Sequence, residues 1–384
     1  MKSDYKGLYI HFPLCKRKCF YCDYYTEEYI QKKEIDFYEY LKKEFLLRKC
    51  DKYIYDTIYF GGGSPSIIHS DILKRTIDFL KDYFAEFSEI SLEVNPEDIN
   101  LEKILLWKNL GFNRISLGIQ AVDKKILEKV GRKQSNLIEK INLVFKYFEN
   151  INFDFILGLP GENIINIEKN IEIIEKYEPK HVSYYIYDND HDSLLNKLIK
   201  EKKVKLISEE FISKYHDFIL SKLDELGFER YEISSWSKKG YECKHNLKYW
   251  NNYEYIGLGV SAGGHNENIR YVNCKNFEKY KIMINNKQEP IEEKKSNNQI
   301  DEIFEKLFMV LRLSIGVDLE SFDFNGELIQ LVVEMIHESM FEYIIEEDSF
   351  LRLNNKGFDQ SNLVFLKLMD IYEKVLNIKG EYFG

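Results

Sequence analysis

Between residues 7 and 187, short strand-like runs alternate with amphipathic helical stretches, and this rhythm restricts the fold more than any other feature of the chain. The strand-like runs are Gly7–Pro13, Thr57–Phe60, Ile90–Val94, Arg114–Ile119, Phe153–Leu157 and His181–Tyr187. Helical patterns fill the gaps near 33–48, 70–84, 101–109, 123–130, 135–148 and 163–177. Successive β–α units predict a parallel sheet with crossover helices. Eight units would close a full barrel. Six predict an open, partial one with its strand ends gathered on one rim. The expected fold class is therefore α/β, a partial (β/α)6 TIM-like barrel. Beyond it, 207–225 reads as a helix and Tyr231–Ser234 as a further strand. Lys287–Asn298 is polar, contains Pro290, and reads as a linker. From Gln299 the spacing of Ile303, Leu307, Val310 and Leu311 is helical, and a second helix is expected near 326–346. Phe350–Leu353 and a turn at Asn354–Gly357 predict a small wing. The expected domains are 1–286 (barrel with β extension), 287–298 (linker) and 299–384 (a small helical, winged-helix-like domain).

The most chemically specific segment follows the first strand. Cys15-Lys-Arg-Lys-Cys19-Phe-Tyr-Cys22 places three thiols in a C-x3-C-x2-C spacing. Iron–sulfur clusters are held by thiolates, commonly four. Three would leave one iron open to an external ligand. Structural zinc needs four closed ligands, and His11 or Asp23 is available as a fourth. A disulfide does not suit three crowded cysteines. Cys50 and Cys274 have no neighbour at metal-ligand spacing and read as structural. In 384 residues only six cysteines occur, so a disulfide scaffold is not the design. The first residues, Met1–Tyr5, show no apolar signal region, and no apolar run approaches a membrane span. The chain reads as cytoplasmic. A net charge of −10 argues against nucleic acid as a partner, as do Glu338, Glu342, Glu346, Glu347 and Asp348 beside the expected wing.

Other polar features fall at the same strand ends. Gly61-Gly-Gly-Ser-Pro65 follows the second strand, where a side-chain-free backbone can approach a ligand. Glu93 sits in an apolar strand, which is costly unless the carboxylate binds something. Gln120 ends the fourth strand, and Asp154 lies in the fifth, followed by Gly158-Leu-Pro-Gly161. Together on one rim they predict a pocket for a polar, sugar-bearing cofactor. Asp188-Asn-Asp-His-Asp192 resembles the start of a calcium loop. The required Gly and Glu are replaced by Ser193 and Ile199, so it reads as a solvated loop.

The order of Tyr9-Ile-His-Phe-Pro13, the three cysteines and Gly-Gly-Gly-Ser-Pro is similar to that of the radical SAM superfamily. Within it, Glu93-Val-Asn-Pro96, Asn113–Gln120 and Asp154–Pro160 resemble the branch that holds oxygen-independent coproporphyrinogen III oxidase and the HemW-type heme chaperones. The resemblance implies that Cys15, Cys19 and Cys22 bind three irons of a [4Fe-4S] cluster and that S-adenosylmethionine (SAM) chelates the fourth. It implies that Gly62 and Gly63 contact the methionine end, with Ser64 where the family usually has Thr. Tyr9 would lie over the cluster, and Glu93 would face the ribose. Gln120, Arg132 and Asp154 match further cofactor-contacting positions, with Arg132 pairing the SAM carboxylate.

Three features place the resemblance on the chaperone side. Cys22 is followed by Asp23 and Tyr24 rather than by another cysteine. Only 14 residues precede Cys15, which leaves little chain for the oxidase's additional segment. Lys244-His-Asn-Leu-Lys-Tyr-Trp250 matches an H-N-x-x-Y-W motif, which implies that His245 helps bind heme. A neutral imidazole is a good axial ligand, and Tyr249 and Trp250 would pack on the macrocycle. A histidine among aromatics also suits a hydrogen-bonded structural role. Cys243 is a second candidate ligand or an inert thiol. The turn Val260-Ser-Ala-Gly-Gly-His265 after Tyr255–Gly259 departs from the family pattern. The resemblance implies a heme chaperone that delivers heme to acceptor hemoproteins at a respiratory membrane, reached peripherally from its inner face, with a homodimer as a candidate assembly. The alternative is an oxygen-independent coproporphyrinogen III oxidase that decarboxylates propionate side chains through a 5′-deoxyadenosyl radical. A third class is a protein whose cysteines merely staple a loop around zinc.

Overall fold

The computed structural model describes residues 5–190, 192–322 and 326–383. Met1–Asp4, His191 of the acidic loop, residues 323–325 and Gly384 lie outside the described residues.

The six expected strands form and stand side by side. They are β1 Lys6–Phe12, β2 Tyr55–Gly62, β3 Phe84–Val94, β4 Arg114–Gln120, β5 Asn150–Leu157 and β6 His181–Ile186. Each neighbouring pair from β1 to β6 is parallel. The crossovers are helices α1 Gln31–Leu47, α2 Ser70–Leu80, α3 Leu101–Asn109, α4 Lys124–Lys129, α5 Leu137–Tyr147 and α6 Ile164–Tyr177. Their ends follow local signals. Asn163 caps α6 by accepting from the N–H groups of Ile165 and Asn166, an arrangement that contributes about 1 kcal/mol.

Both edges of the sheet are extended. The later strands are β7 Glu229–Glu232, β8 Ser235–Ser237, β9 Tyr255–Leu258, β10 Gly263–Asn266, β11 Ile269–Asn273 and β12 Ile291–Ser296. The order across the twelve strands is β12-β11-β10-β9-β1-β2-β3-β4-β5-β6-β8-β7. Strand β9 joins β1 in parallel, and the additions beyond it and beyond β6 are antiparallel. The expected linker at 287–298 therefore carries an edge strand, Ile291–Ser296, paired to β11. Its run of exposed charged residues is the composition of a protected sheet edge.

Strand alternation decides what the two faces carry. Leu8, Ile10 and Phe12, Ile58 and Phe60, Leu92 and Val94, Ile115, Leu117 and Ile119, and Phe153 and Phe155 belong to one buried apolar core. The intervening residues are polar: Tyr9 and His11, Thr57 and Tyr59, Glu89, Ser91 and Glu93, Arg114 and Ser116, Asn152 and Asp154, His181 and Ser183. They turn to the concave face and bond across it. Ser116 donates to Asp154 at 2.7 Å, and Asn152 Nδ2 donates to Ser116 at 2.8 Å. His181 Nδ1 meets Asn152 Oδ1 at 2.7 Å.

Helix α7 Glu209–Glu225 precedes β7, and the seven-residue α8 Lys244–Trp250 lies between β8 and β9. The C-terminal part packs helices Gln299–Val310, Gly326–Met340 and Ser361–Phe383 with a three-stranded sheet. This is the expected helical, wing-bearing unit. The turn expected at Asn354–Gly357 is a short helix, Asn355–Asp359, whose N-cap Asn354 accepts from Gly357 N–H.

Candidate functional site

The cysteine loop leaves β1 at its C-terminal end and is sewn to its surroundings by backbone bonds. Phe20 N–H donates to Val130 O at 2.9 Å, Tyr29 N–H to Cys15 O at 2.9 Å, and Cys22 N–H to Cys19 O at 3.2 Å. Cys15, Cys19 and Cys22 are all free and half-buried. Burial raises the Cys15 thiol above its ordinary range and pushes Cys22 up to about 11. A bound cation is what would displace those protons, because the thiolate is the metal ligand.

His11 does not complete a zinc set. Its Nδ1 shares a hydrogen bond with Tyr9 Oη at 3.0 Å, and its Nε2 with Tyr25 O at 3.1 Å. Both ring nitrogens are engaged, and burial lowers its pKa to about 4. An all-thiolate donor set with a missing fourth member fits an iron–sulfur cluster with one open iron.

The glycine turn is shaped by close approach. A Cβ at Gly63 would meet Leu14 O at 2.7 Å and Phe12 O at 2.8 Å. Gly62 has φ +103°, and a Cβ there would meet the His11 ring at 2.7 Å. The N–H groups of the turn are used within the protein. Gly62 N–H donates to Glu93 Oε2 at 3.2 Å, Gly63 N–H to Phe12 O at 2.7 Å, and Ser64 N–H to Leu14 O at 3.0 Å. The turn thus seats the cysteine loop, a role that spacing alone did not show.

Glu93 and Asp154 are the two carboxylates of the concave face beside this turn. Burial first, then the Asp154 carboxylate, pushes Glu93 up to about 7. Burial raises Asp154 too, against hydrogen bonds from Ser116 and Asn152. Two buried carboxylates facing one another, each with its ionisation disfavoured, fit a ligand rich in hydroxyl groups and carrying positive charge, which ribose and a sulfonium provide. Tyr24, 61 % exposed, and Tyr185, 43 % exposed, stand close enough for the Asp154 charge to act on both.

Gln120 has φ +66°, and Ala121 N–H donates across it to Ile119 O at 2.8 Å. That is a γ-turn of the rare, strained hand. Such a conformation costs roughly 1–3 kcal/mol and tends to occur where a side chain is being aimed. The Gln120 amide lies over Gly118, where a Cβ would meet its Nε2 at 2.9 Å.

Arg132, the expected SAM carboxylate partner, is bonded within the protein at the cysteine loop. Nη1 donates to Cys19 Sγ at 3.8 Å and to Tyr21 Oη at 3.2 Å. Nη2 donates to Asn95 Oδ1 at 2.8 Å and to Gly118 O. Asn95 and Tyr21 are site residues that the sequence reading did not assign. Asn95 stood in the quoted Glu93–Pro96 stretch, and its position directly after a strand end was the available signal.

His245 lies at the other end of the sheet. Its Nδ1 bonds Thr57 Oγ1 at 2.8 Å, its Nε2 bonds Tyr249 Oη at 2.8 Å, and its backbone N–H donates to buried Glu89 at 3.3 Å. The ring stacks on Tyr59 at 5.3 Å. Thr57 is near the start of β2 and Gly62 is its end, so roughly 15 Å of strand separates histidine from cysteine loop. His245 is 1 % exposed. Burial, then Lys248 and Arg114, lower its pKa to about 3, so the imidazole is neutral. In this conformation both ring nitrogens are engaged within the protein, so an axial bond from His245 requires one of them to be released. Cys243 is fully buried, with a thiol pushed up to about 12, and it donates to Glu89 at 3.7 Å.

The Val260–His265 turn is a packing device. Gly259, φ +100°, passes against His11 O, which a Cβ would meet at 2.5 Å. Ser261 and Ala262 then bring β10 back beside β9, with Tyr255 opposite His265.

The radical SAM superfamily model matches residues 9–174. A heme chaperone HemW of Bacillus subtilis is 31 % identical over 326 residues, covering 83 % of this chain and 86 % of the relative. A heme chaperone HemW of Lactococcus lactis is 31 % identical over 377 residues, covering 94 % and 96 %. Among solved structures, the coproporphyrinogen III oxidase HemN of Escherichia coli superposes with a TM-score of 0.80 over 96 % of this chain and 90 % of its own, at 19 % identity. That likeness concerns the fold. The cysteine loop at the end of β1, the carboxylates beside it and the overlap with most of the length of two HemW chains agree, and the chain belongs to the HemW family of radical SAM proteins.

Proposed function

We propose that this protein binds heme and hands it to acceptor hemoproteins, and that the rim at the strand ends holds a [4Fe-4S] cluster and SAM. The observation that carries the reading is the overlap with the Lactococcus lactis chaperone over 94 % of this chain, C-terminal part included. Cys15, Cys19 and Cys22 would hold the cluster, and Tyr9, Gly62, Gly63, Ser64, Glu93, Gln120, Arg132 and Asp154 would surround SAM. Such a cluster, when bound, supplies one-electron chemistry to the sulfonium. The chain's own part is positional. Glu93 and Asp154 accept from hydroxyl groups, the strained turn aims Gln120, and the glycine turn keeps the thiols against the rim.

Two surfaces compete for the heme. The rim offers the exposed rings of Tyr24 and Tyr185 beside the cysteine loop. The floor offers His245, a neutral imidazole that must first give up a hydrogen bond, at a cost of about 1–3 kcal/mol. No helix among the described residues is long and apolar enough to cross a membrane. We read delivery to membrane-associated acceptors as peripheral, from a cytoplasmic protein, with a homodimer as its candidate assembly.

The test is an anaerobic heme titration of the reconstituted protein, read at the Soret band, in wild type, His245→Ala and Tyr24→Ala. Saturable binding supports the chaperone reading. Weakening by His245→Ala assigns the floor, and weakening by Tyr24→Ala alone assigns the rim. No saturable binding, together with release of 5′-deoxyadenosine and a decarboxylated porphyrin, transfers the assignment to the oxidase reaction.

A further inference from the structure

Two of the three cysteine sulfurs are joined by an unbroken chain of hydrogen bonds, and the direction of each bond follows from the chemistry of its members. A guanidinium only donates. Arg132 Nη2, at 2.8 Å from Asn95, must therefore face the amide oxygen, which fixes the orientation of that amide. Asn95 Nδ2 then points to Ser64 Oγ at 2.7 Å and donates to it. With that oxygen accepting, the Ser64 proton is left for Cys15 Sγ at 3.4 Å. The other end of the same guanidinium donates to Cys19 Sγ at 3.8 Å. Every proton in the chain is aimed towards a sulfur.

The chain is braced from behind. Asn95 N–H donates to Ser66 Oγ at 3.2 Å, and Ser66, 1 % exposed, donates to Asp98 at 2.8 Å. Lys16, between the first two cysteines, reaches the other Asp98 oxygen at 2.7 Å. Asn95 is thus held by backbone and side chain, and its amide is a junction rather than a surface group.

We propose that Arg132, Asn95 and Ser64 form a one-way donor relay that delivers hydrogen bonds to two of the cluster's thiolates, with Asn95 as its positioning residue. The proposal rests on the cluster reading given above. Its physical effect is on the metal centre: hydrogen bonds to thiolate sulfurs withdraw charge and are among the factors that set the reduction potential of an iron–sulfur cluster. Without the relay, the reduced, more negative state is less favoured and the midpoint potential falls. The Ser64 hydroxyl serves as a relay member. Its replacement by Thr keeps the relay, and its replacement by Ala cuts it.

The experiment is an anaerobic redox titration of the reconstituted full chain, followed by the EPR signal of the reduced cluster. Iron and sulfide content is measured on the same samples. Wild type, Ser64→Thr, Ser64→Ala, Asn95→Ala and the double variant Ser64→Ala/Asn95→Ala are compared. The expected result is an unchanged midpoint for Ser64→Thr and a more negative midpoint for each alanine variant at wild-type iron content. The double variant shifts by less than the sum of the singles, because both cuts interrupt one path. A Ser64→Ala midpoint equal to wild type overturns the relay, and so do single-variant shifts that add in full. If Asn95→Ala fails to retain a cluster, the Ser64 pair decides alone. A wild-type chain that takes up no iron overturns the cluster reading itself, a different result from an intact cluster whose potential does not move.

Discussion

Glu93 is a carboxylate kept where ionisation is disfavoured. Its native pKa of about 7 stands above the ordinary 4.5. Between those pH values the native chain holds a proton that the unfolded chain has lost. Stability therefore falls as pH rises through this window, and the whole penalty is present above it. Glu93→Gln removes the penalty. The expected outcome is a higher melting temperature than wild type at pH 8 and a difference that vanishes towards pH 4.5. The same variant should weaken SAM binding by tenfold or more at pH 8, roughly 1.4 kcal/mol or more, measured by calorimetry. An unchanged SAM affinity removes Glu93 from the site, whatever the melting curve shows. This opposition of stability and binding is what a functional buried carboxylate entails.

At the scale of elements, the glycine turn and α8 carry the testable structure. Gly63→Ala forces a Cβ against two carbonyl oxygens of the β1 exit. Neither is the end of a flexible side chain, so the cysteine loop must move. The expected cost is about 1–3 kcal/mol, and the reconstituted variant should hold less iron than wild type. Gly63→Ala with full iron content and unchanged stability would show that the loop tolerates displacement. Helix α8 closes the floor of the concave face: His245 ties it to Thr57, and Glu89 receives its first N–H groups. His245→Ala removes two buried hydrogen bonds and a stacked ring. It should lose about 2–4 kcal/mol in urea unfolding with no heme present. If heme-free stability stays at wild type, the buried bonds of His245 contribute nothing, and its role is confined to the ligand.

At the scale of the whole molecule, two apolar clusters share a boundary. Tyr231 of β7 belongs to the C-terminal cluster, and Leu247 and Trp250 of α8 pack against it. Arg230 pairs with Asp359 at 3.1 Å, and Arg312 lies over Trp250 at 5.2 Å. The C-terminal part therefore covers the underside of the element that carries His245. Removing residues 299–384 should uncover Tyr231, Leu247 and Trp250, lower the melting temperature of what remains and promote its aggregation. A truncated chain that melts like the full one would make the division at 287–298 a true domain boundary. The present contacts instead join the two parts through β7 and α8.

What the sequence determined by itself was local. Strand-like runs at 7–13, 57–60, 90–94, 114–119, 153–157 and 181–187 were legible because apolar periodicity is a property of neighbouring residues. The cysteine loop was legible because its spacing is written in eight consecutive positions, Cys15–Cys22. Three outcomes belonged to the tertiary structure. Arg132 meets Asn95 across 37 positions and Cys19 across 113, and no local pattern reports such a meeting. His245 is sealed by Thr57, 188 positions away. A motif alone could not separate an exposed ligand from a buried brace, because exposure depends on what the rest of the chain places over it. The polar stretch at 291–296 became a strand because β11 offered it an unpaired edge, and an edge exists only once the sheet is assembled.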